Sequence, residues 1–238
     1  MLHRRTLIIS AAVAASAPLA GCVEMLTGPH AAAPGPQAPR ASGRPLTRTL
    51  GAVDHRAVYG EFPGEKFAIP PAPIEEIDSR FLRQLVEYRW SEPPGTIVVD
   101  PGAHHLYFVE APGQATRYGV GVGREGFGWS GAARVNMKRD WPDWVPPAEM
   151  IARDPEIRAR LEKTPRGPGV PGGPKSPLGA RAMYLFGEGR DLGYRIHGTT
   201  EPETVGTNVS SGCVRMINQD VVHLYARAPL GAPVVVLG

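Results

Sequence analysis

Proline and glycine divide the sequence after residue 92 into short segments rich in β-branched and aromatic residues, a pattern that favours strands over long helices. The chain of 238 residues holds 26 Pro and 29 Gly, and only 7% of it is aromatic. Helical periodicity is limited to residues 147–160 and 218–226. Strands are predicted at 96–100, 105–110, 116–122, 133–138, 180–186, 193–196 and 234–237. We therefore expect a mainly β domain with a few short helices over residues 93–238.

The region before this domain, residues 49–92, has a different character. It ends at the turn sequence Pro-Pro-Gly of residues 93–95 and contains one predicted helix. The expected N-cap and apolar face of that helix are Asp78 or Ser79, followed by Phe81, Leu82, Leu85 and Val86. We interpret residues 49–92 as a transitional region.

The N-terminus has the three parts of a secretory signal peptide. Arg4 and Arg5 form a basic start, residues 7–15 are apolar, and small residues precede Cys22. The apolar run is too short for a membrane-spanning helix, so residues 1–21 are predicted to be a signal peptide. The paired arginines fit a partial twin-arginine signal and a plain basic start equally well.

The sequence Leu-Ala-Gly-Cys at residues 19–22 resembles the lipobox of bacterial lipoproteins, which implies cleavage before Cys22 and acylation of that residue. Ordinary cleavage nearby is the alternative. Because Val23 and not an aspartate follows the cysteine, the resemblance favours the outer membrane of a Gram-negative bacterium. The expected location is therefore periplasmic, with a lipid anchor in the membrane.

Residues 22–48 are rich in Ala, Pro and Gly and lack apolar periodicity. Such a segment buries too little apolar surface to offset chain entropy, so a disordered tether is predicted. The net charge of +3 falls to +1 when residues 1–21 are removed, because Arg4 and Arg5 leave and no acidic residue does. A nearly neutral protein has no general attraction for nucleic acid, so we expect no nucleic-acid partner.

The sequence contains two cysteines. If Cys22 carries lipid, Cys213 has no partner in the chain, and His197 stands sixteen positions before it. A thiol that attacks an acyl carbon needs a nearby base and backbone N–H donors, and residues 210–212, Ser-Ser-Gly, let the main chain approach a substrate. The alternative is that Cys213 is a small buried apolar residue.

At these residues the sequence resembles the L,D-transpeptidases of the YkuD type. The resemblance extends to the Trp-Pro-Pro segment at 141–151 and the Pro-Leu-Gly segment at 171–185, and covers residues 93–237. Ser211 departs from the family pattern, in which histidine is more common. The matching residues are His197, Gly198, Thr199, Ser210, Gly212, Cys213, Val214 and Arg215. The implied fold is a YkuD-like β-sandwich or open barrel.

The resemblance implies a reaction on peptidoglycan stem peptides without a metal or an organic cofactor. Cys213 would attack the carbonyl of diaminopimelate, release D-Ala and pass the acyl group to an amine of another stem or of a wall-anchored protein. His197 would be the base, and the carbonyl of Gly198 would orient it. The N–H groups of Gly212 and Cys213, with that of Ser211, would hold the oxyanion.

Several residues are candidates for contacts with substrate. Arg215 is expected to hold a substrate carboxylate or to brace the site, and an ordinary ion pair is the alternative. The other candidates are Ser210, Thr199, Tyr184 and Trp144. For Tyr184 and Trp144, as for Trp141 and Tyr194, packing in the core is the alternative.

The remaining motifs are weaker. The glycine-rich run at 119–131 lacks the Lys-Ser/Thr ending of a phosphate loop and is interpreted as a strand end and hairpin. His104 and His105 are adjacent, so on a strand they point to opposite faces and do not suit one metal. His223 is interpreted as a partly exposed packing residue.

Two alternatives to a transpeptidase stay open on the sequence alone. One is a hydrolytic relative, either an L,D-carboxypeptidase or an amide-cleaving enzyme acting on peptidoglycan. The other is an inactive wall-binding lipoprotein that uses the same groove. The residues around Cys213 do not separate these functions, because the choice of acceptor depends on the shape of the cleft.

Overall fold

A computed structural model describes residues 48–123, 129–210 and 212–238, and the backbone alone at Val209 and Ser210. The predicted signal peptide, Cys22 and the tether up to residue 47 lie outside the described residues, as does Ser211. Within them, no helix is long and apolar enough to cross a membrane.

Strands dominate the structure. In chain order they are β1 (Gln84–Glu87), β2 (Ile97–Asp100), β3 (His105–Ala111), β4 (Gln114–Gly119), β5 (Val122–Gly123), β6 (Gly131–Asp140), β7 (Glu162–Thr164), β8 (Gly167–Gly169), β9 (Arg181–Gly187), β10 (Arg190–His197), β11 (Asn208–Ser210), β12 (Val214–Arg215) and β13 (Pro233–Val236).

Helices in the described residues are short. The α-helices are α1 (His55–Val58), α2 (Ala148–Arg153), α3 (Pro155–Ala159) and α4 (Asn218–Arg227). Single 3₁₀ turns occur at Ser79–Phe81, Pro101–Ala103 and Pro202–Thr204. The prediction of a mainly β fold with a few short helices is confirmed.

Nine strands form one sheet in the order β1-β4-β3-β2-β13-β6-β9-β10-β12. Strands β13 and β2 are parallel, as are β10 and β12, and the other pairs in this sheet are antiparallel. Two small ladders, β5 with β11 and β7 with β8, complete the strand pairing of the described residues. The pair β10–β12 at one edge of the sheet carries the residues of chemical interest.

Local sequence explains the central strands. All four residues of β2, Ile-Val-Val-Asp, are buried, as expected of a β-branched strand covered on both faces. Strands β3 and β4 are joined at Pro112 and Gly113, and Gly113 has φ of +82°. Proline followed by a residue with positive φ is the requirement of a type II turn.

The sheet curves around its main core. Leu106 of β3 and Ile196 of β10 belong to the same buried cluster, although five strand intervals separate them. At about 4.8 Å per interval, a flat sheet would hold these strands roughly 24 Å apart. Val221 and Leu224 of α4 join the same cluster, so the helix closes the core.

The predicted helix over residues 79–86 is wrong. Asp78 does cap a turn, since its carboxylate accepts a hydrogen bond from Arg80 N at 3.0 Å, but only Ser79–Phe81 are helical. The chain then forms β1, which pairs with β4. Val86 of β1 is buried in the same cluster as Ala115 of β4. Tertiary pairing therefore overrides a local apolar pattern that suits a helix.

Several further boundaries differ from the sequence prediction. The segment predicted as one strand over 116–122 is two strands, β4 and β5, which belong to different ladders. Strands β7, β8, β11 and β12 were not predicted, because each has two or three residues and no apolar alternation. These short strands border the region that contains Cys213 and Tyr184.

Residues 49–92 share the sheet and the cores of the rest of the chain. The Tyr59 hydroxyl donates a hydrogen bond of 2.9 Å to the buried carboxylate of Asp220 in α4. Gln219 donates through Nε2 to the carbonyls of Gly60 at 3.1 Å and Pro70 at 2.9 Å. Buried polar contacts thus connect this region to α4, which begins five residues after Cys213.

Candidate active site

The parallel pairing of β10 and β12 brings the chain segment that contains Cys213 next to the strand that ends at His197. In the register of these strands Ile196 lies opposite Val214, and both side chains belong to the main core. Successive side chains on a strand point to opposite faces, so His197 and Arg215 lie on the other face. The same alternation puts Cys213, the residue before β12, on the face that carries His197.

His197 is held in one orientation. Its ring is 4% exposed, and Nδ1 donates a hydrogen bond of 2.5 Å to the carbonyl of Gly198. A proton on Nδ1 leaves Nε2 of the neutral ring as the atom able to accept one. Burial lowers the pKa of His197 to about 4, and the Gly198 carbonyl opposes that shift.

The thiol of Cys213 is half-buried. Burial raises its pKa, while a backbone contact with Arg195 and the positive charges of Arg195 and Arg215 act in the opposite direction. Burial therefore favours the uncharged form of both groups.

A glycine precedes Cys213 because of the backbone conformation. Gly212 has φ of +120°, in the region that side chains rarely adopt, whereas a Cβ there would make only an ordinary contact of 3.4 Å with the Tyr194 ring. The Tyr194 ring stacks on Trp129 at 5.3 Å between centroids. Before the glycine, Ser210 ends β11, where it pairs with Gly123 of β5.

The turn after His197 is fixed by Asn218, the first residue of α4. Its Oδ1 accepts a hydrogen bond of 3.0 Å from Ala180 N, and its Nδ2 donates one of 2.9 Å to the Thr199 carbonyl. A Cβ at Gly198 would lie 2.2 Å from Asn218 Oδ1, and one at Gly179 would lie 2.3 Å from it. Glycine is therefore required at both positions if Asn218 is to reach the backbone.

Two arginines on this face are already paired with carboxylates. Arg215 contacts Glu201 at 3.0 Å, so the structure gives the predicted substrate-binding arginine an ion pair. Arg195 donates two hydrogen bonds, of 2.7 and 2.8 Å, to Asp191, and its guanidinium lies 4.2 Å from the centroid of the Tyr184 ring.

The structure places the other predicted substrate contacts as follows. Tyr184 on β9 is 2% exposed, and its hydroxyl accepts a hydrogen bond of 3.1 Å from Arg166 Nη1. Thr199 is buried, and its hydroxyl accepts from Glu201 N at 3.0 Å. Trp144 is half-buried and its backbone pairs with Val170. Of the three, only Tyr184 lies on the strand next to β10.

His104, His105 and His223 form contacts with residues other than His197 and Cys213. His104 Nε2 is 2.8 Å from Asn208 Oδ1, and His105 Nε2 is 3.2 Å from the Arg80 carbonyl. His223 Nδ1 is 2.7 Å from the Tyr118 hydroxyl, and burial lowers the pKa of His223 to about 4. Over the described ranges, no group of three or more His, Cys, Asp or Glu residues is arranged to hold a metal ion.

Sequence reasoning missed three residues that shape the site: Asn218, Arg195 and Arg166. Asn218 was included only as the start of a helix, and no spacing rule connects it to residue 198. The signal available for Arg195 was its position two residues before His197 on one strand, which places both on one face. Arg166 is reached only through the β7–β8 hairpin, which the sequence did not predict.

Comparison with known proteins identifies the family of the β domain. Residues 94–236 match the family model of the L,D-transpeptidase catalytic domain, YkuD. The probable L,D-transpeptidase YbiS of Escherichia coli (strain K12) is 38% identical over 119 residues, which are 48% of this chain and 35% of that protein. The probable L,D-transpeptidase ErfK/SrfK of Salmonella typhimurium is 33% identical over 146 residues, which are 59% of this chain and 43% of that protein.

A crystal structure from Brucella melitensis, described as a probable carnitine operon oxidoreductase caia, is 47% identical and covers 69% of this chain and 99% of its own. Its TM-score of 0.46 is too low to support a conclusion about this chain. This chain spans less than half of the length of YbiS and ErfK/SrfK. Because the matched domain makes up more than half of its residues, the chain belongs to the YkuD family of L,D-transpeptidase catalytic domains.

Proposed function

We propose that this chain is a peptidoglycan L,D-transpeptidase that uses Cys213 as its nucleophile. The acyl donor is a stem tetrapeptide, and the bond cleaved joins the diaminopimelate carbonyl to the terminal D-Ala. The observation that supports the proposal is the parallel pairing of β10, which ends at His197, with β12, which begins directly after Cys213, together with the hydrogen bond from His197 Nδ1 to the Gly198 carbonyl.

The first half of the reaction forms a thioester. As sulfur attacks the diaminopimelate carbonyl carbon, Nε2 of His197 takes the thiol proton. The carbon–nitrogen bond to D-Ala then breaks, and the imidazolium returns its proton to the leaving amine. Since the pKa of His197 is lowered and that of Cys213 is raised, proton transfer accompanies the attack instead of preceding it.

The second half transfers the acyl group. An acceptor amine attacks the thioester, neutral His197 removes a proton from that amine, and the thiolate leaves and is protonated again. Backbone N–H groups of Gly212 and Cys213 are the proposed donors to the oxyanion in both halves. The positive φ of Gly212 supports this role, because it permits a main-chain direction that other residues rarely adopt.

The proposed location is the periplasm, with Cys22 acylated and anchored in the outer membrane. The support is the signal-like sequence of residues 1–21 and the Leu-Ala-Gly-Cys segment that ends at Cys22. Labelled palmitate is expected to enter the chain in a bacterial host and not to enter a Cys22→Ser variant. An unlabelled wild-type chain would remove the anchor from the proposal.

The activity is tested by the muropeptides formed from tetrapeptide substrates. Wild-type protein is expected to release D-Ala and to produce dimers joined between diaminopimelate residues. Cys213→Ala should release none, whereas Cys22→Ser, which removes the other cysteine, should retain release. D-Ala release by Cys213→Ala would reject the assigned nucleophile, and tripeptides without dimers would identify a hydrolytic enzyme. Unchanged muropeptides with wild-type protein would favour a wall-binding function.

A further inference from the structure

Arg166 differs from the other arginines near the candidate site in its charge environment. Among the residues that the structure describes, no carboxylate lies within ion-pair distance of its guanidinium, whereas Arg195 and Arg215 are paired with Asp191 and Glu201. Arg166 is exposed, and its Nη1 donates a hydrogen bond of 3.1 Å to the Tyr184 hydroxyl. Four of its five N–H groups are therefore left for other partners.

Arg166 lies in the turn of the β7–β8 hairpin, which is closed by hydrogen bonds of the Thr164 hydroxyl. The Thr164 hydroxyl donates a hydrogen bond of 2.7 Å to the Gly167 carbonyl and accepts one of 3.2 Å from Arg166 N. Thr164 is buried, so the hydrogen bonds that close the turn containing Arg166 are anchored by a buried side chain. Directly after β8, Val170 pairs with Trp144, which ties the hairpin to the segment before α2.

Tyr184 links this arginine to the candidate active site. Two guanidinium groups lie near its ring, that of Arg195 at 4.2 Å and that of Arg166 at 5.7 Å from the centroid. Tyr184 is opposite Arg195 in the β9–β10 register, and Arg195 contacts Cys213 through its backbone. Two strand intervals of about 4.8 Å put Tyr184 roughly 10 Å from the backbone of Cys213.

We infer that Arg166, held in place by the Tyr184 hydroxyl, binds a carboxylate of the acyl-donor peptide and thereby selects acidic donors. The inference rests on the proposed function for the identity of the donor. A planar guanidinium with unpaired N–H groups fits the two oxygens of a carboxylate. The roughly 10 Å between the backbones of Tyr184 and Cys213 is the length of about three residues of extended peptide.

Two carboxylates of a stem peptide meet this description: the one at the end of the diaminopimelate side chain and the one on the glutamate that precedes it. Both present the same chemistry to Arg166. Donor peptides in which one or the other is converted to an amide distinguish the two sources.

The test compares binding of tetrapeptide donors by isothermal titration calorimetry in a Cys213→Ala background, where the donor is not consumed. Adding Arg166→Gln is expected to raise the Kd of the acidic donor about tenfold. Arg166→Lys should give a smaller rise, because ammonium lacks the planar fork. Adding Arg190→Gln, which removes one exposed arginine at the start of β10, should change the Kd less than twofold.

The amidated donors complete the test. The donor that lacks the recognised carboxylate is expected to bind with the same Kd whether or not the protein carries Arg166→Gln. The inference would be overturned if Arg166→Gln weakened the binding of both amidated donors equally. It would also be overturned if the proteins with and without Arg166→Gln bound the acidic donor with the same Kd, or if neither bound it measurably. A wild-type chain that releases no D-Ala would instead reject the proposed function, and the binding comparison would still decide the role of Arg166.

Discussion

Replacing Asn218 with alanine tests whether the turn after His197 is held from α4. The wild-type side chain makes two hydrogen bonds to backbone groups on separate segments, Ala180 N and the Thr199 carbonyl. Alanine leaves both backbone groups without this partner. The space beside Gly179 and Gly198 that the Asn218 side chain fills then becomes empty. We expect the variant to fold with lower stability and with a less well ordered Gly198 carbonyl.

The size of the effect follows from these two bonds. A buried polar group that loses its partner costs about 1–3 kcal/mol. Asn218 is only half-buried, so water replaces part of what is lost, and we expect a total of about 2 kcal/mol. For a chain of this size, that corresponds to a fall in Tm of about 4–8 °C.

Thermal unfolding and D-Ala release measure the two consequences separately. At a temperature where Asn218→Ala is fully folded, we expect kcat to fall about tenfold with KM changed less than twofold, because the orientation of His197 is disturbed and substrate binding is not. Asn136→Ala, at an exposed position of β6, is the control and should change neither quantity. A fall in Tm of less than 1 °C, or unchanged kcat in the folded variant, would refute the reasoning.

Two further predictions concern charge. Because the pKa of His197 is lowered to about 4 and that of Cys213 is raised, kcat/KM for D-Ala release should stay level from about pH 5 to 8 and fall only near pH 4. Alkylation of Cys213 by iodoacetamide should keep rising above neutral pH, and a plateau below pH 7 would indicate a thiolate–imidazolium pair. Glu65→Gln should cost about 2 kcal/mol of unfolding free energy, measured by urea denaturation, because Arg181 loses the charge of a mostly buried partner at 2.6 Å and keeps only exposed Asp140 as a carboxylate partner. Glu76→Gln, at an exposed site, is the control for this change, and an equal effect of both would contradict the role given to Glu65.

The strands of the main sheet were largely predictable from the sequence, because turn residues bound them and β-branched residues fill them. The predicted segments at 96–100 and 105–110 correspond to β2 and β3 with shifts of one residue at their ends. The helix prediction for residues 79–86 was wrong because their apolar side chains pack in two different clusters, Phe81 in one and Val86 in another. A local pattern contains no information about that division.

The candidate site was predictable where it depends on residue type and order. The resemblance implied that the Gly198 carbonyl orients the His197 ring, and the structure contains a hydrogen bond between these two groups. The catalytic roles stay predictions. Asn218 and Arg166 were not predictable, because their partners at Ala180 and Tyr184 are 38 and 18 residues away along the chain. Only the pairing of the strands brings such residues together.

The pairing of β10 with the edge strand β12 has one further consequence. The backbone hydrogen bond of 2.8 Å from Met216 N to the His197 carbonyl ties the two chain segments that carry the sulfur and the imidazole. Exchange of the loops that surround these two segments would then leave the sulfur and the imidazole where they are. Grafting the surrounding loops of a relative onto this chain is thus a rational route to new acceptor preference at constant chemistry.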